Sequence, residues 1–131
     1  MSEELEIEIT EQNQPYWQSL DKGVLSFQKC NDCKNCWLPA RDFCPKCLSE
    51  NWQWTASSGK GTVISWVVFH SAMNPAFKDR VPYNVAIVEL AEGPRLITNL
   101  LMPNQDIRPR MAVKLNLERR HNVNMPFFSS E

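Results

Sequence analysis

Cys30-Asn31-Asp32-Cys33 and Cys44-Pro45-Lys46-Cys47, two Cys-x-x-Cys pairs separated by ten residues, decide how this chain is read. A structural zinc site takes four thiolates at the corners of a tetrahedron, and each pair forms a knuckle offering two sulfurs from one tight turn. The ten residues between the pairs are enough for a short hairpin that brings the knuckles together. With all four corners filled by protein, no position remains for water or substrate, so the expected single Zn2+ is structural. The competing reading is a redox-active or disulfide pair, which fits a lone Cys-x-x-Cys better than two matched ones. Cys36 makes Cys33-Lys34-Asn35-Cys36 a third pair and leaves the register of the first knuckle open. Cys30 and Cys33 are preferred because Val24–Lys29 alternates as a strand running directly into that knuckle. Cys36 is then a spare thiol on the hairpin arm.

Around this motif, the chain has 131 residues, 43% of them apolar and 22% charged, in the range of a folded globular domain or two small modules. A core of that size is not generous, and a metal staple helps a module that buries little surface. No apolar run approaches the roughly 18 residues needed to cross a bilayer. The acidic start Met1-Ser2-Glu3-Glu4 is no signal peptide. The expectation is a cytoplasmic protein, where a thiol cluster reads as metal ligands before disulfides. Charge is uneven. Residues 1–29 carry six acidic and two basic groups, whereas residues 61–131 carry eight basic and six acidic ones. That mild excess falls far short of a strongly basic face for nucleic acid.

Residues 1–9 alternate acidic and apolar (Glu4, Leu5, Glu6, Ile7, Glu8, Ile9), as an edge strand or a solvated arm; the like charges favour the arm. Thr10 offers a helix N-cap, Tyr16, Trp17 and Leu20 recur at helical spacing with Pro15 in the first turn, and Gly23 stops the helix. After Cys47 the pattern becomes β. Asn51–Ala56 puts Trp52 and Trp54 on one face. Thr62–His70 is a long β-branched and aromatic run, and 71–82 a loop. Asn84–Leu90 and Arg95–Leu101 are strands joined by Ala91-Glu92-Gly93-Pro94, and Val113–Arg119 is a last strand. The expected architecture is mainly β: an N-terminal arm and helix (1–26), a zinc ribbon (27–50) and a small barrel (51–131).

Taken in order, these motifs resemble a family of small bacterial and archaeal proteins with an N-terminal helix, a rubredoxin-like zinc ribbon and a C-terminal OB-fold. The resemblance runs from Pro15-Tyr16-Trp17 through the knuckles, Leu38-Pro39-Ala40-Arg41 and Ser58-Gly59-Lys60-Gly61-Thr62-Val63. It continues through Pro82-Tyr83, Val85–Leu90, Glu92-Gly93-Pro94-Arg95-Leu96 and Thr98-Asn99-Leu100 to Met125-Pro126-Phe127. Two positions depart from it: Lys34 and Arg110 stand where the family usually has glycine, which implies altered local turns. The resemblance implies a non-catalytic accessory subunit in a hetero-oligomer with a thiolase-like enzyme or a hot-dog-fold acyl-CoA dehydratase, contacting acyl-CoA.

The residues agree on one point: they assemble no catalytic constellation. His70 and His121 are the only histidines, and no serine or cysteine nucleophile has a recognisable setting. For CoA phosphates the candidates are Arg41, Lys46, Lys60 and Arg95, and for its apolar parts Trp66, Phe69, Phe77 and Tyr83. Against this, Trp66 and Phe69 read equally as barrel core and the lysines as solvated surface. Tyr16, Trp17 and Leu20 either cap the protein's own barrel or dock on the partner, as does the loop residue Phe77. The alternative from another class is a single-stranded nucleic-acid-binding OB-fold, whose aromatics are present without an evident basic groove.

Overall fold

The computed structural model describes residues 9–70, 82–120 and 122–131. Helix α1 (Gln14–Asp21) is followed by strands β1 (Ser26–Cys30), β2 (Cys36–Trp37), β3 (Trp52–Ala56), β4 (Lys60–Phe69), β5 (Tyr83–Leu90), β6 (Arg95–Thr98), β7 (Ala112–Arg120) and β8 (Val123–Ser130). They form a three-stranded sheet, β2-β1-β3, and a five-stranded sheet, β6-β5-β4-β7-β8. Residues 1–8, the 71–81 part of the expected loop, with Phe77, and His121 lie outside the described residues.

The helix starts later than Thr10. Asn13 is its N-cap, Pro15 lies in the first turn, and Gly23 ends it at a φ of +84°. Thr10 and Asn13 instead exchange side-chain bonds: the Thr10 N–H donates to Asn13 Oδ1 (2.7 Å) and the Asn13 N–H to Thr10 Oγ1 (3.3 Å). Leu20 is fully buried and joins Leu25, Val63, Val88, Leu100, Val113 and Phe128 in the main core. The helix is therefore a lid on the barrel, tied to β8 where Asn124 Nδ2 donates to the Leu20 carbonyl (2.9 Å).

Three strands differ from the sequence reading. Trp52–Ala56, expected to open the barrel, pairs along its length with β1 from Cys30↔Trp52 to Ser26↔Ala56. It is the third strand of the ribbon sheet because Trp52 packs on the ribbon's small core of Cys30, Trp37 and Cys44. The barrel sheet begins at Lys60. At its far side Val113–Arg119 is not the last strand, since β8 pairs with β7 from Val113↔Ser130 to Arg120↔Val123. Pro126 in the middle of β8 argues against a strand, but its position resolves this. The Leu115 N–H donates to the Gly59 carbonyl and the Phe128 N–H to the Asn99 carbonyl, so the Leu115↔Phe128 pair is not hydrogen-bonded across β7–β8. By alternation Leu117↔Pro126 is likewise unbonded, and proline forfeits no ladder bond there. Third, β6 stops at Thr98 and not at Leu101. Buried Asn84 captures the Leu100 backbone, accepting from its N–H and donating Nδ2 to its carbonyl (2.6 and 2.9 Å).

The sheet curls at a bulge between Val63 and Ser65 in β4, which leaves Lys60–Thr62 paired with β7 while the whole strand follows β5. Gly61 sits where this crossing is tightest: a Cβ there would stand 2.6 Å from Val88 Cγ1 and 3.0 Å from the Glu89 carbonyl oxygen. The ends meet through the parallel bridge Leu100↔Phe128 and the Thr98 hydroxyl, which donates to the Pro126 carbonyl (2.8 Å). This is the OB-fold arrangement. Among the described residues no helix is long and apolar enough to cross a membrane.

Candidate metal centre and adjoining clefts

The two knuckles fold by one local rule. In the first, the Lys34 N–H donates to the Cys30 carbonyl (3.0 Å) and the Cys30 N–H to the Asn35 carbonyl (2.8 Å). In the second, the Leu48 N–H donates to the Cys44 carbonyl (2.8 Å) and the Cys44 N–H to the Ser49 carbonyl (2.9 Å). Each turn closes through a residue in the left-handed region, Lys34 at φ +69° and Leu48 at φ +64°. The turns present Cys30, Cys33, Cys44 and Cys47 with all four Sγ atoms within 4.8 Å of one another. Across the knuckles Cys30–Cys47 and Cys33–Cys44 are each 3.6 Å apart. A regular tetrahedron with zinc–sulfur bonds of ~2.3 Å has edges of about 3.8 Å, so the four thiols fit one zinc and no fifth ligand.

The surroundings push two of the four thiols, Cys44 and Cys30, toward the thiolate. At Cys47 the Ser49 N–H acts the same way, but burial and the neighbouring thiols outweigh it and push the pKa up to about 12. Burial opposes ionisation of Cys44, but the backbone N–H groups of Cys47 and Lys46 outweigh it and bring its pKa down to about 6. Cys30 is also lowered, first by the Cys33 N–H, which donates to its sulfur at 3.4 Å. Asp32 ties the knuckles together, accepting from the Ser49 hydroxyl and from Asn51 Nδ2 (3.3 Å). Cys36 stands apart from the cluster, with its thiol donating to the Lys34 carbonyl at 3.7 Å and burial pushing its pKa up.

The loop between the knuckles is held from below. Fully buried Gln28 in β1 clamps Arg41 by its backbone, donating Nε2 to the Arg41 carbonyl (2.9 Å) and accepting from the Arg41 N–H (2.8 Å). The Trp52 indole N–H fixes the next residue through the Asp42 carbonyl (2.8 Å). The exposed Arg41 side chain therefore leaves a fixed backbone. Sequence reasoning missed Gln28; its signal was an amide in the strand running into the first knuckle.

Three clefts divide the remaining candidates. A cleft of about 540 Å³ lies between α1, the Leu38-Pro39-Ala40 segment and β6, lined by Asn13, Tyr16, Trp17, Ile87, Arg95, Leu96 and Ile97. A second, of about 490 Å³, shares Pro39 and Ala40 with it and adds Arg41, Phe43 and Leu48. Aromatic contacts run from the metal site to the first cleft, with Trp37–Trp52 at 6.2 Å, Trp52–Trp54 at 6.1 Å, Trp54–Tyr16 at 6.4 Å and Tyr16–Trp17 at 5.2 Å. Burial pushes the Tyr16 phenol well above its usual range. Tyr83 is elsewhere, stacked on Phe69 at 5.2 Å and lining a cavity of about 660 Å³ beside Arg120 and Phe127. Lys60 faces a fourth depression with Lys114, Trp66 packs against the barrel core, and Lys46 is exposed on the second knuckle. Arg95 pairs with Glu89 (2.9 Å). The candidates thus fall into separate places: Arg95 lines the cleft beside the aromatic helix, and Arg41 the neighbouring cleft that shares Pro39 and Ala40 with it. Leu20 is used up inside the protein's own core.

The model of the ChsH2 rubredoxin-like zinc ribbon domain matches residues 17–53, and that of the ChsH2 C-terminal OB-fold domain matches residues 54–118. A DUF35 domain-containing scaffold protein of Pyrococcus furiosus is 32% identical over 102 residues, covering 76% of this chain and 74% of its own. The chain belongs to the ChsH2/DUF35 family. A probable enoyl-CoA hydratase alpha subunit of Thermomonospora curvata is 37% identical over 92% of this chain but only 38% of its own length. A DUF35 scaffold protein of Methanocaldococcus jannaschii is 38% identical over 52% of this chain and 48% of its own. The chain thus spans about half or less of these two relatives. Among solved structures, a chain of the Ltp2-ChsH2(DUF35) aldolase superposes with a TM-score of 0.83 at 34% identity, covering 95% of this chain and 98% of that one. A DUF35 protein of unknown function from Sulfolobus solfataricus gives 0.70 at 14% identity, over 92% of this chain and 86% of that one, and shares the fold. The family places zinc in the four-cysteine site. At the two departures, Lys34 and Arg110 take φ values of +69° and +63°, the region glycine adopts most readily, so side chains occupy the strained turns.

Proposed function

We propose that this protein is a non-catalytic accessory subunit that docks on a thiolase-like or hydratase-type acyl-CoA enzyme and contributes contacts to CoA. The observation that carries this is the likeness over nearly its whole length to a chain of the Ltp2-ChsH2(DUF35) aldolase. A relative named an enoyl-CoA hydratase subunit supports the acyl-CoA side. In this reading the zinc is a staple: four protein thiolates leave it no open position, and it fixes the loop that carries Arg41. Tyr16 and Trp17, which line the cleft beside α1, are the partner contacts. Arg41 and Arg95 are the phosphate contacts, since guanidinium groups bind such oxygens in a defined geometry. Phe77, outside the described residues, remains a proposed contact for both.

Co-expression with a thiolase-like or acyl-CoA hydratase enzyme tests it. Trp17→Ala is expected to weaken co-purification well over tenfold, since cutting a buried aromatic anchor commonly costs about 2 kcal/mol or more. Zinc content stays unchanged. Arg41→Ala spares assembly and weakens CoA binding by calorimetry. Tight binding of a short oligonucleotide, with no response to CoA alone or in the complex, would replace this reading with the nucleic-acid one.

A further inference from the structure

Strands β4 and β7 are paired through Lys60↔Lys114, Gly61↔Val113 and Thr62↔Ala112. The Leu115 N–H donates to the Gly59 carbonyl at 2.7 Å, so Gly59 and Leu115, the next step of that register, form a hydrogen-bonded pair. Alternation makes Lys60↔Lys114 a non-hydrogen-bonded pair, the kind whose side chains approach most closely, with Cβ atoms about 4.5 Å apart. Both side chains leave the same face of the sheet, and both residues are exposed. Like charges placed directly opposite one another destabilise a sheet. A negative group seated between them relieves that repulsion.

The surroundings suit a phosphate. Lys60 and Lys114 line a depression of about 390 Å³ between the α1–β1 connection at Gly23 and the linker that carries Ser57 and Ser58. The ion pairs among the described residues engage Arg95, Arg119 and Arg120 and neither of these lysines. Glu92, the carboxylate that meets the linker, is already held by the Ser57 hydroxyl and the Ser58 N–H. Glu131 is the one acidic residue among the described lining residues, so two positive charges face one negative. The Ser58 hydroxyl accepts the Lys60 N–H (3.3 Å) and keeps its own proton to donate to an oxyanion. An ammonium acts on a phosphate as a compact point charge with three rotatable donors. A monovalent anion meets one ammonium at a time, whereas a dianionic phosphate engages both.

We propose that Lys60 and Lys114, with the Ser58 hydroxyl, form a binding site for a dianionic phosphate group. Its described lining residues include none of those that line the cleft beside α1 or the cleft with Arg41. The site therefore stands apart from the proposed partner and CoA contacts and does not rest on the accessory-subunit reading. Lys60 is legible in the sequence as a phosphate candidate, but Lys114 joins it only through the pairing of β4 with β7. The phosphate belongs either to CoA or to a free phosphate compound, since the chemistry that holds it is the same. Glu131 opposes the anion and sets a limit on its affinity.

Titration of the zinc-loaded protein with inorganic diphosphate at constant ionic strength, followed by amide NMR, tests the site with no partner present. The Gly59, Lys60 and Lys114 amides are expected to shift and to saturate in the millimolar range, as a few screened charge contacts allow. Lys60→Gln and Lys114→Gln should each weaken binding about fivefold, the effect of one close charge contact in water. The double variant should abolish the shifts with zinc content unchanged, and Glu131→Gln should tighten binding. CoA titrated in parallel identifies the source. Loss of CoA binding in the double variant assigns the phosphate to CoA; CoA binding that is absent, or unchanged in that variant, assigns it to a free phosphate compound. Equal diphosphate shifts in wild type and double variant, or shifts that sodium chloride reproduces, overturn the proposal. So does tighter binding of a glutamate-rich peptide, which would make this a docking face for an acidic protein.

Discussion

The ribbon and the barrel reach order by different means. The ribbon's buried cluster is Cys30, Trp37 and Cys44, with Cys33 and Trp52 against it, so two of its three fully packed members are metal ligands. Among the described residues the barrel's cluster has ten buried members, from Leu20 to Phe128, and no metal ligand among them. Where apolar area is scarce, coordination replaces it. The two are nonetheless joined, because Leu25 at the ribbon's entrance belongs to the barrel core and the Ser57 N–H donates back to the Leu25 carbonyl at 2.7 Å.

The largest effect should come from the metal. Structural zinc supplies an apparent ~10–16 kcal/mol in comparable knuckle peptides, so chelation or Cys44→Ser should abolish ribbon order. The barrel should keep its β circular-dichroism signal; loss of both together would show that the shared Leu25 packing makes one cooperative unit. Cys36→Ser should leave zinc content at one per chain, and metal loss equal to that of Cys30→Ser would break the assigned register.

Barrel lesions should do the reverse. Phe128→Ala, at a fully buried site, is expected to cost about 3–5 kcal/mol in denaturant unfolding while the zinc stays bound. Gly61→Ala should cost about 1–3 kcal/mol, because the Glu89 carbonyl in its path is backbone and has little room to give.

The joint between the regions gives a smaller, pH-dependent effect. Glu92 accepts from the Ser57 hydroxyl and the Ser58 N–H (both 2.8 Å), clamping the linker between β3 and β4 to the β5–β6 turn. Burial alone would raise its pKa, but these hydrogen bonds outweigh it and hold the carboxyl below its ordinary value. A lowered folded-state pKa means the contribution is present above the unfolded pKa of about 4.3 and is lost as pH falls through the folded value. Glu92→Gln should therefore cost about 1 kcal/mol at neutral pH, with the difference from wild type shrinking in acid unfolding. A difference that persists at the lowest pH would assign the effect to packing. Smallest of all, Lys34→Gly should gain up to about 1 kcal/mol in thermal unfolding by relieving a left-handed side chain.

The chain order of residues by itself determined the metal centre, because knuckle geometry is local: each Cys-x-x-Cys builds its half from one turn, and spacing alone specifies it. The helix around Tyr16 and Leu20 and the Glu92-Gly93 hairpin were legible for the same reason, as signals carried within a few residues. The tertiary structure decided what depends on partners distant in sequence. Trp52–Ala56 looks the same as a strand in either sheet, and only the presence of β1 and the Trp37–Cys44 cluster assigned it to the ribbon. Pro126 reads as a strand breaker until its missing N–H is seen to fall where β7 needs none. Arg41 was legible as a charge, but its fixed backbone depends on Gln28, thirteen residues earlier, and no local pattern encodes a hydrogen bond across a folded loop.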